Sequence, residues 1–258
     1  MTVNGRSKTR TNRQLKNLRQ CQCDSNCNNE PLPKEPFCQY HRTHGCPIIS
    51  PTTGYEPIFN KDEYTLDKGL QHSHNCYAYA LGVKDLEKAR KCREQKDCKF
   101  PVTGKKAGHP EFSGQLGKMC SDIMARTIAD IPDAIHTDFP SKCPAKMSKI
   151  AVVTDDKEDL HYYREGADGT WDHKPGAREP TQFDSTGSRI WNPELASRRY
   201  VKEHNDDITL DYRNFCGFLC IPRDKPIEIM SGGKKSARRK TRKGRGYRNG
   251  RKSRNGKA

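Results

Sequence analysis

The sequence predicts an α+β fold, because helix-forming patterns fill its first half and strand-forming patterns its second. His72-Ser73-His74-Asn75-Cys76-Tyr77-Ala78-Tyr79-Ala80-Leu81-Gly82 passes from a polar turn into an apolar, Ala-rich run. Ser73 or Asn75 serves as N-cap there, which places Cys76 in the first helical turn. The helix extends beyond Gly82 into the charged stretch 84–96, with a break at the glycine. A second helix fits residues 119–131. Ile123, Met124, Ile128 and Ile131 recur at helical spacing, Ser121 or the preceding loop caps it, and Pro132 stops it. Residues 150–153, 160–164, 170–174 and 215–221 read as strands, and Gly166-Ala167-Asp168-Gly169 turns the middle two into a hairpin.

Charge divides the chain further. The net charge is +16, yet residues 1–20 hold six Lys or Arg and residues 231–258 hold thirteen, with no acid in either. The remaining 29 basic residues face 32 acidic ones in 21–230, a net of about −3. The expected division is a basic tail (1–20), a Cys/His cluster (21–46), a globular domain (47–230) and a second basic tail (231–258). The C-terminal run has no aliphatic side chain larger than Ala, so alone it cannot offset the entropy of ordering and is expected to be disordered. Such a run binds nucleic acid through its phosphates, without reading sequence. No stretch reaches the roughly 20 apolar residues of a membrane span. The N-terminus lacks the apolar segment of a signal peptide.

The twelve cysteines therefore read as metal ligands, a catalytic thiol and buried thiols, and not as disulfides, unless the protein is carried in a particle that later meets an oxidising environment. Cys23, Cys27, Cys38 and His41 are spaced Cys-x3-Cys-x10-Cys-x2-His, two close pairs around a Pro-rich loop, as a tetrahedral structural Zn2+ requires. Cys21 and His44 are the alternative ligands. Cys92, Cys98 and Cys143 sit in polar contexts as surface thiols or a weak second metal site, whereas Cys120, Cys216 and Cys220 fit the core.

Catalysis needs no cofactor in this reading. Cys76, on a helix end that favours the thiolate, is the candidate nucleophile. The thiol needs a base and the base an orienting partner. A three-residue turn at 167–169 would put His161, Tyr163, Trp171 and His173 on one face. A two-residue turn would split the two histidines. A competing arrangement has His72 and His74 join Cys76 on a metal. Cys on a helix end, His at a strand start and a polar group on the next strand is the order found in papain-like thiol hydrolases.

Asn-Cys-Tyr-Ala-Tyr-Ala-Leu, Met-Cys-Ser-Asp-Ile, His-Tyr-Tyr-Arg-Glu with Asp-Gly-Thr-Trp-Asp-His-Lys-Pro-Gly, and Asn-Phe-Cys-Gly-Phe also resemble a family found in bacteria and in large DNA viruses of algae. The resemblance spans roughly 50–222, and the cluster and basic tail look like those appended to giant-virus proteins. It implies a relation to papain-like or NlpC-type peptidases, with a helix-plus-antiparallel-sheet core. Carried over by motif, Cys76 is the nucleophile, His161 the base, and His173 or Asp172 the orienting group. Asn75 or the backbone N–H of Cys76 is the oxyanion donor. No acidic substrate-binding motif of those peptidases is visible. The expected function is a thiol hydrolase acting on an amide or isopeptide bond, inside a virion or infected cell. The alternative is a non-enzymatic structural virion protein that binds nucleic acid or capsid neighbours.

Overall fold

The computed structural model describes residues 20–23, 27, 29–46, 49–112, 118–155, 159–201 and 208–232. The basic tails lie outside the described residues apart from Gln20, Ser231 and Gly232. The helices are α1 (Gln39–His44), α2 (Asp62–Thr65), α3 (Lys68–Ser73), α4 (Cys76–Leu81), α5 (Leu86–Gln95) and α6 (Cys120–Asp130). The strands are β1 (Ile135–Thr137), β2 (Met147–Asp155), β3 (Asp159–Glu165), β4 (Trp171–Asp172), β5 (Arg199–Val201), β6 (Ile208–Asp211) and β7 (Asn214–Pro222). Among the described residues, β1-β7-β2-β3-β4 form one antiparallel sheet and β5-β6 a separate ribbon. The α+β class and the helix-first order are as expected. No described helix is long and apolar enough to cross a membrane.

The expected first helix is two. Gly82 closes α4 in the left-handed region (φ 71°), and Asp85 caps α5 by accepting from Lys88 N. Gly69 lets α3 and α5 touch, since a Cβ there would lie 2.1 Å from the Ala89 carbonyl oxygen. Each sheet face buries its own core because strand side chains alternate. On one face Ile150, Val152, Tyr162, Leu219 and Ile221 pack beneath α4 and α6 with Cys76. On the other, Ala151, Val153, Tyr163, Trp171 and Phe218 pack under Ile190, Ala196 and Tyr212. The second face is covered by irregular chain and the β5-β6 ribbon.

The cysteines depart from expectation. Disulfides join Cys23 to Cys46, Cys92 to Cys98, Cys120 to Cys216 and Cys143 to Cys220, leaving Cys21, Cys27, Cys38 and Cys76 as thiols. Cys216 reaches α6 through a bulge, because Val152 pairs with Gly217 and Val153 with Phe215, so Cys216 is the extra residue of β7. Cys120–Cys216 and Cys143–Cys220 join positions 96 and 77 residues apart, and only the folded sheet brings them together. In a thiol-free buffer with enough denaturant to unfold the chain, which leaves disulfides intact, four thiols are expected to react with an alkylating reagent; five or more would contradict the pairing.

A buried polar chain crosses the second face. Lys149 Nζ donates to Ser50 Oγ and to the Phe139 carbonyl, and Ser50 donates to Glu165 Oε1 at 2.5 Å. Burial pushes the Glu165 carboxyl up to about 7, against the pull of Ser50 and Lys149. A carboxyl raised in the folded state favours folding when protonated, so its contribution is full below the unfolded value of roughly 4.5 and is lost as pH rises to about 7. Glu165→Gln should remove that loss, gaining up to about 3 kcal/mol relative to wild type between pH 5 and pH 8 in urea titrations. A parallel decline in both proteins would count against it.

Candidate thiol and histidine cavity

Asn75 is the N-cap of α4. Its Oδ1 accepts from Ala78 N, and its Nδ2 donates to the Pro101 carbonyl. That fixes Cys76 at the first helical position and commits the Asn75 amide. With Ala78 N donating to Asn75 Oδ1, the oxyanion donors that remain are the Cys76 and Tyr77 N–H groups of the first turn, which a helix does not use internally. Ser73 instead ends α3.

The hairpin adopts the three-residue turn. Gly166 N donates to the Thr170 carbonyl, Gly169 is left-handed, and Arg164 pairs with Asp172 and Glu165 with Trp171. His161, Tyr163 and His173 therefore share a face, where their rings meet at centroid distances near 5 Å (4.9–5.1 Å). Asp172 falls on the opposite face. Its Oδ1 accepts from Arg164 Nε at 2.8 Å, and Arg164 also bonds the Tyr79 hydroxyl. Asp172 is thus part of a buried ion pair and does not orient His161. The alternation of the strand is the reason.

The hydrogen bonds of the histidines assign their protons. The Phe183 carbonyl can only accept, so His173 Nε2 carries a proton toward it at 3.1 Å. Burial lowers the His173 pKa to about 4, so at neutral pH its Nδ1 is bare. That nitrogen accepts from His161 Nε2–H at 2.8 Å. His161 Nδ1 is then the ring nitrogen with the available lone pair. Burial, and next the neighbouring His173, hold the His161 imidazole neutral as well.

Cys76, His161 and His173 line one cavity of about 720 Å³, with Phe100, Phe112 and Leu210 among its apolar walls. The thiol and imidazole approach it from different sides. Cys76 belongs to the helix-side core, and its Sγ points to the Leu160 carbonyl at 3.9 Å, whereas His161 belongs to the other face. The cavity wraps around the start of β3, beyond the two residues that β4 pairs. Burial, and next Asp159, push the Cys76 thiol up to about 12, against the backbone N–H groups of Tyr162 and Tyr77 and, after them, Lys174. The expected thiolate is therefore absent at rest, because desolvation outweighs the helix dipole.

Lys174, which carried no motif-based role, is buried with Nζ donating to the carbonyls of Gln71, His74 and Gly176 at 2.6 Å each. It ties the turn before Cys76 to a wall of the cavity. The rival metal arrangement with His72 and His74 does not form. His74 Nε2 accepts from Asp85 N and its other nitrogen donates to Ser73, so neither lone pair is left for a metal.

The N-terminal cluster takes a different ligand set from the one its spacing predicts. Cys23 is bonded to Cys46, and Cys21 stands in its place beside Cys27, Cys38 and His41, with the four ligand atoms all within 4.8 Å of one another. Cys21 Sγ and Cys38 Sγ lie 3.1 and 3.5 Å from His41 Nδ1, and Cys27 Sγ lies 3.6 Å from Cys38 Sγ. Ligands at 2.0–2.3 Å around a tetrahedral zinc are separated by roughly 3.3–3.8 Å, so the set can hold a metal ion.

Among known proteins, the chain is similar to insoluble matrix shell protein 1 of Ruditapes philippinarum. The two are 26% identical over 142 residues, a stretch covering 54% of this chain and 80% of that protein. No protein-family model and no solved structure matches the chain.

Cys76 is expected to alkylate slowly between pH 7 and 9, with reactivity still rising at the alkaline limit of stability. Asp159→Asn should speed it several-fold, on the order of the loss of one nearby like charge. Peptide mass spectrometry of Cys76 after timed alkylation checks both, and a reactivity midpoint near pH 7 would contradict the burial argument.

Proposed function

We propose that the cavity is a cysteine-centred acyl-transfer site that hydrolyses an amide or isopeptide bond. The observation that carries this reading is the convergence on one cavity of Cys76, at a helix N-terminus, with a hydrogen-bonded histidine pair. Cys76 Sγ attacks the substrate carbonyl while His161 Nδ1 takes the thiol proton. The oxyanion settles at the N–H groups of Cys76 and Tyr77, and His173 steadies the imidazolium by accepting from Nε2–H. His161 then gives its proton to the leaving amine, and water hydrolyses the acyl-enzyme. Because thiol and imidazole are both neutral at rest, proton transfer accompanies attack. Substrate entry must also draw Sγ and Nδ1 together around the edge of β3. The apolar walls favour an apolar acyl side.

We also assign zinc to the Cys21, Cys27, Cys38 and His41 set, because three thiols and an imidazole suit that ion best. The basic run 231–258 is assigned to non-specific nucleic-acid binding. A particle-borne protein would reconcile metal-binding thiols with four disulfides, the former loaded in a reducing interior and the latter formed outside it.

A second reading is a non-enzymatic structural protein, part of an insoluble matrix or of a virion. It is favoured by the four disulfides and by the likeness to a matrix shell protein. Activated esters and peptide amides with apolar acyl groups separate the two readings. Wild type should yield an acyl adduct on Cys76 and turnover that falls about 10³-fold or more in Cys76→Ala. Turnover retained in Cys76→Ala would sink the hydrolase. A folded, disulfide-complete chain with no adduct would favour the matrix reading.

A further inference from the structure

The Cys/His cluster docks on the segment that holds the histidine pair. Gln22 lies between Cys21 and the disulfide-bonded Cys23, and its backbone N–H donates to the Pro36 carbonyl within the cluster loop. Its side chain is 1% exposed and leaves the cluster for the main domain. Oε1 accepts from Trp191 N at 2.7 Å and Asn192 N at 3.1 Å. Nε2 donates to the Arg189 carbonyl at 3.2 Å and Asp184 Oδ2 at 3.4 Å. Both donors and both acceptor positions of the amide are thereby used on one segment. Phe37, on the same loop as Cys38, meets Trp191 edge to face at 5.3 Å.

That segment carries the acceptor that sets the histidines. Phe183 bridges to Arg189, whose carbonyl Gln22 holds, and Phe183 directly precedes Asp184, which Gln22 also holds. The Phe183 carbonyl fixes the proton of His173 on Nε2, and His173 Nδ1 in turn fixes the proton of His161 on Nε2. Four consecutive contacts thus run from Gln22, next to the candidate ligand Cys21, to the His161 ring whose other nitrogen is assigned as base.

We propose that the metal-bound cluster is a strut for the histidine relay, with Gln22 as the positioning residue: a zinc ion at Cys21, Cys27, Cys38 and His41 holds Gln22 in place, and Gln22 holds the Phe183 carbonyl that selects the tautomer of His173 and His161. Loss of the ion frees the loop, and the relay loses its single tautomer. The consequence for turnover rests on the acyl-transfer reading. The coupling itself does not.

The test uses the full chain, labelled with ¹⁵N-histidine and loaded with one equivalent of zinc. Ring-nitrogen spectra are compared for wild type, wild type stripped with EDTA, and the zinc-loaded variants Gln22→Ala and Gln22→Glu. Gln22→Glu keeps the two acceptor contacts and removes both donors, which serves if the alanine variant does not fold. His74, pinned locally by Asp85 N and Ser73, is the internal control. The expected result is loss of the single-tautomer signals of His161 and His173 after stripping and in the variants. Solvent exchange of the His173 ring proton should become about tenfold faster, with His74 unchanged. Unchanged His161 and His173 signals in the stripped protein and in either folded variant would overturn the proposal. So would an equal disturbance of His74, which marks general loosening. A wild-type chain that shows the coupling without turnover counts against the acyl-transfer reading alone.

Discussion

Ala167, Asp168 and Gly169 form a turn in which Gly166 N–H meets the Thr170 carbonyl, and the placement of the cavity residues follows from that register. A slip of one residue would exchange the faces of every β4 side chain relative to β3. In the register adopted, His173 joins His161 and Tyr163, while Asp172 is delivered to Arg164 in the helix-side interior. The same turn therefore builds both the histidine relay and the buried ion pair. Asp168 supports it locally by accepting from the backbone and hydroxyl of Thr170.

Cys76 shows two opposed electrostatic effects at one atom. A helix N-terminus favours a thiolate through unpaired N–H groups and the macrodipole. Burial beneath the sheet and the nearby Asp159 act the other way, and they prevail. Lys174 moderates the balance from its nest of three carbonyls. A thiol held neutral in this way is protected from incidental oxidation. That matters in a chain whose cysteines at 92, 98, 120, 143, 216 and 220 are all paired.

The N-terminal cluster is an integral part of the structure. Three of its seven Cys and His residues would have to be left out of any four-ligand site. The disulfide between Cys23 and Cys46 removes two of them, and the stacking of His44 on Tyr40 places a third on the surface side of α1. Gln22 and Phe37 then anchor the loop to the segment 184–192.

The sequence by itself determined the α+β class, the helix starts at Cys76 and near 120, the break at Gly82, the main strands and the Gly-turn hairpin, because caps, periodicity and turn residues act over a few neighbours. It also nominated Cys76, Asn75, His161, His173 and Asp172 for one candidate site, and all but Asp172 line the same cavity. Tertiary structure alone decided between the two hairpin registers, moved Asp172 out of the site, exchanged Cys23 for Cys21 in the metal set and paired eight cysteines. It also raised the Cys76 pKa, and it gave the buried Gln22 and Lys174 side chains their hydrogen-bond partners. Each of those outcomes depends on groups distant in sequence meeting in a dry interior, where burial and partner geometry govern proton and sulfur chemistry and local pattern carries no record of either.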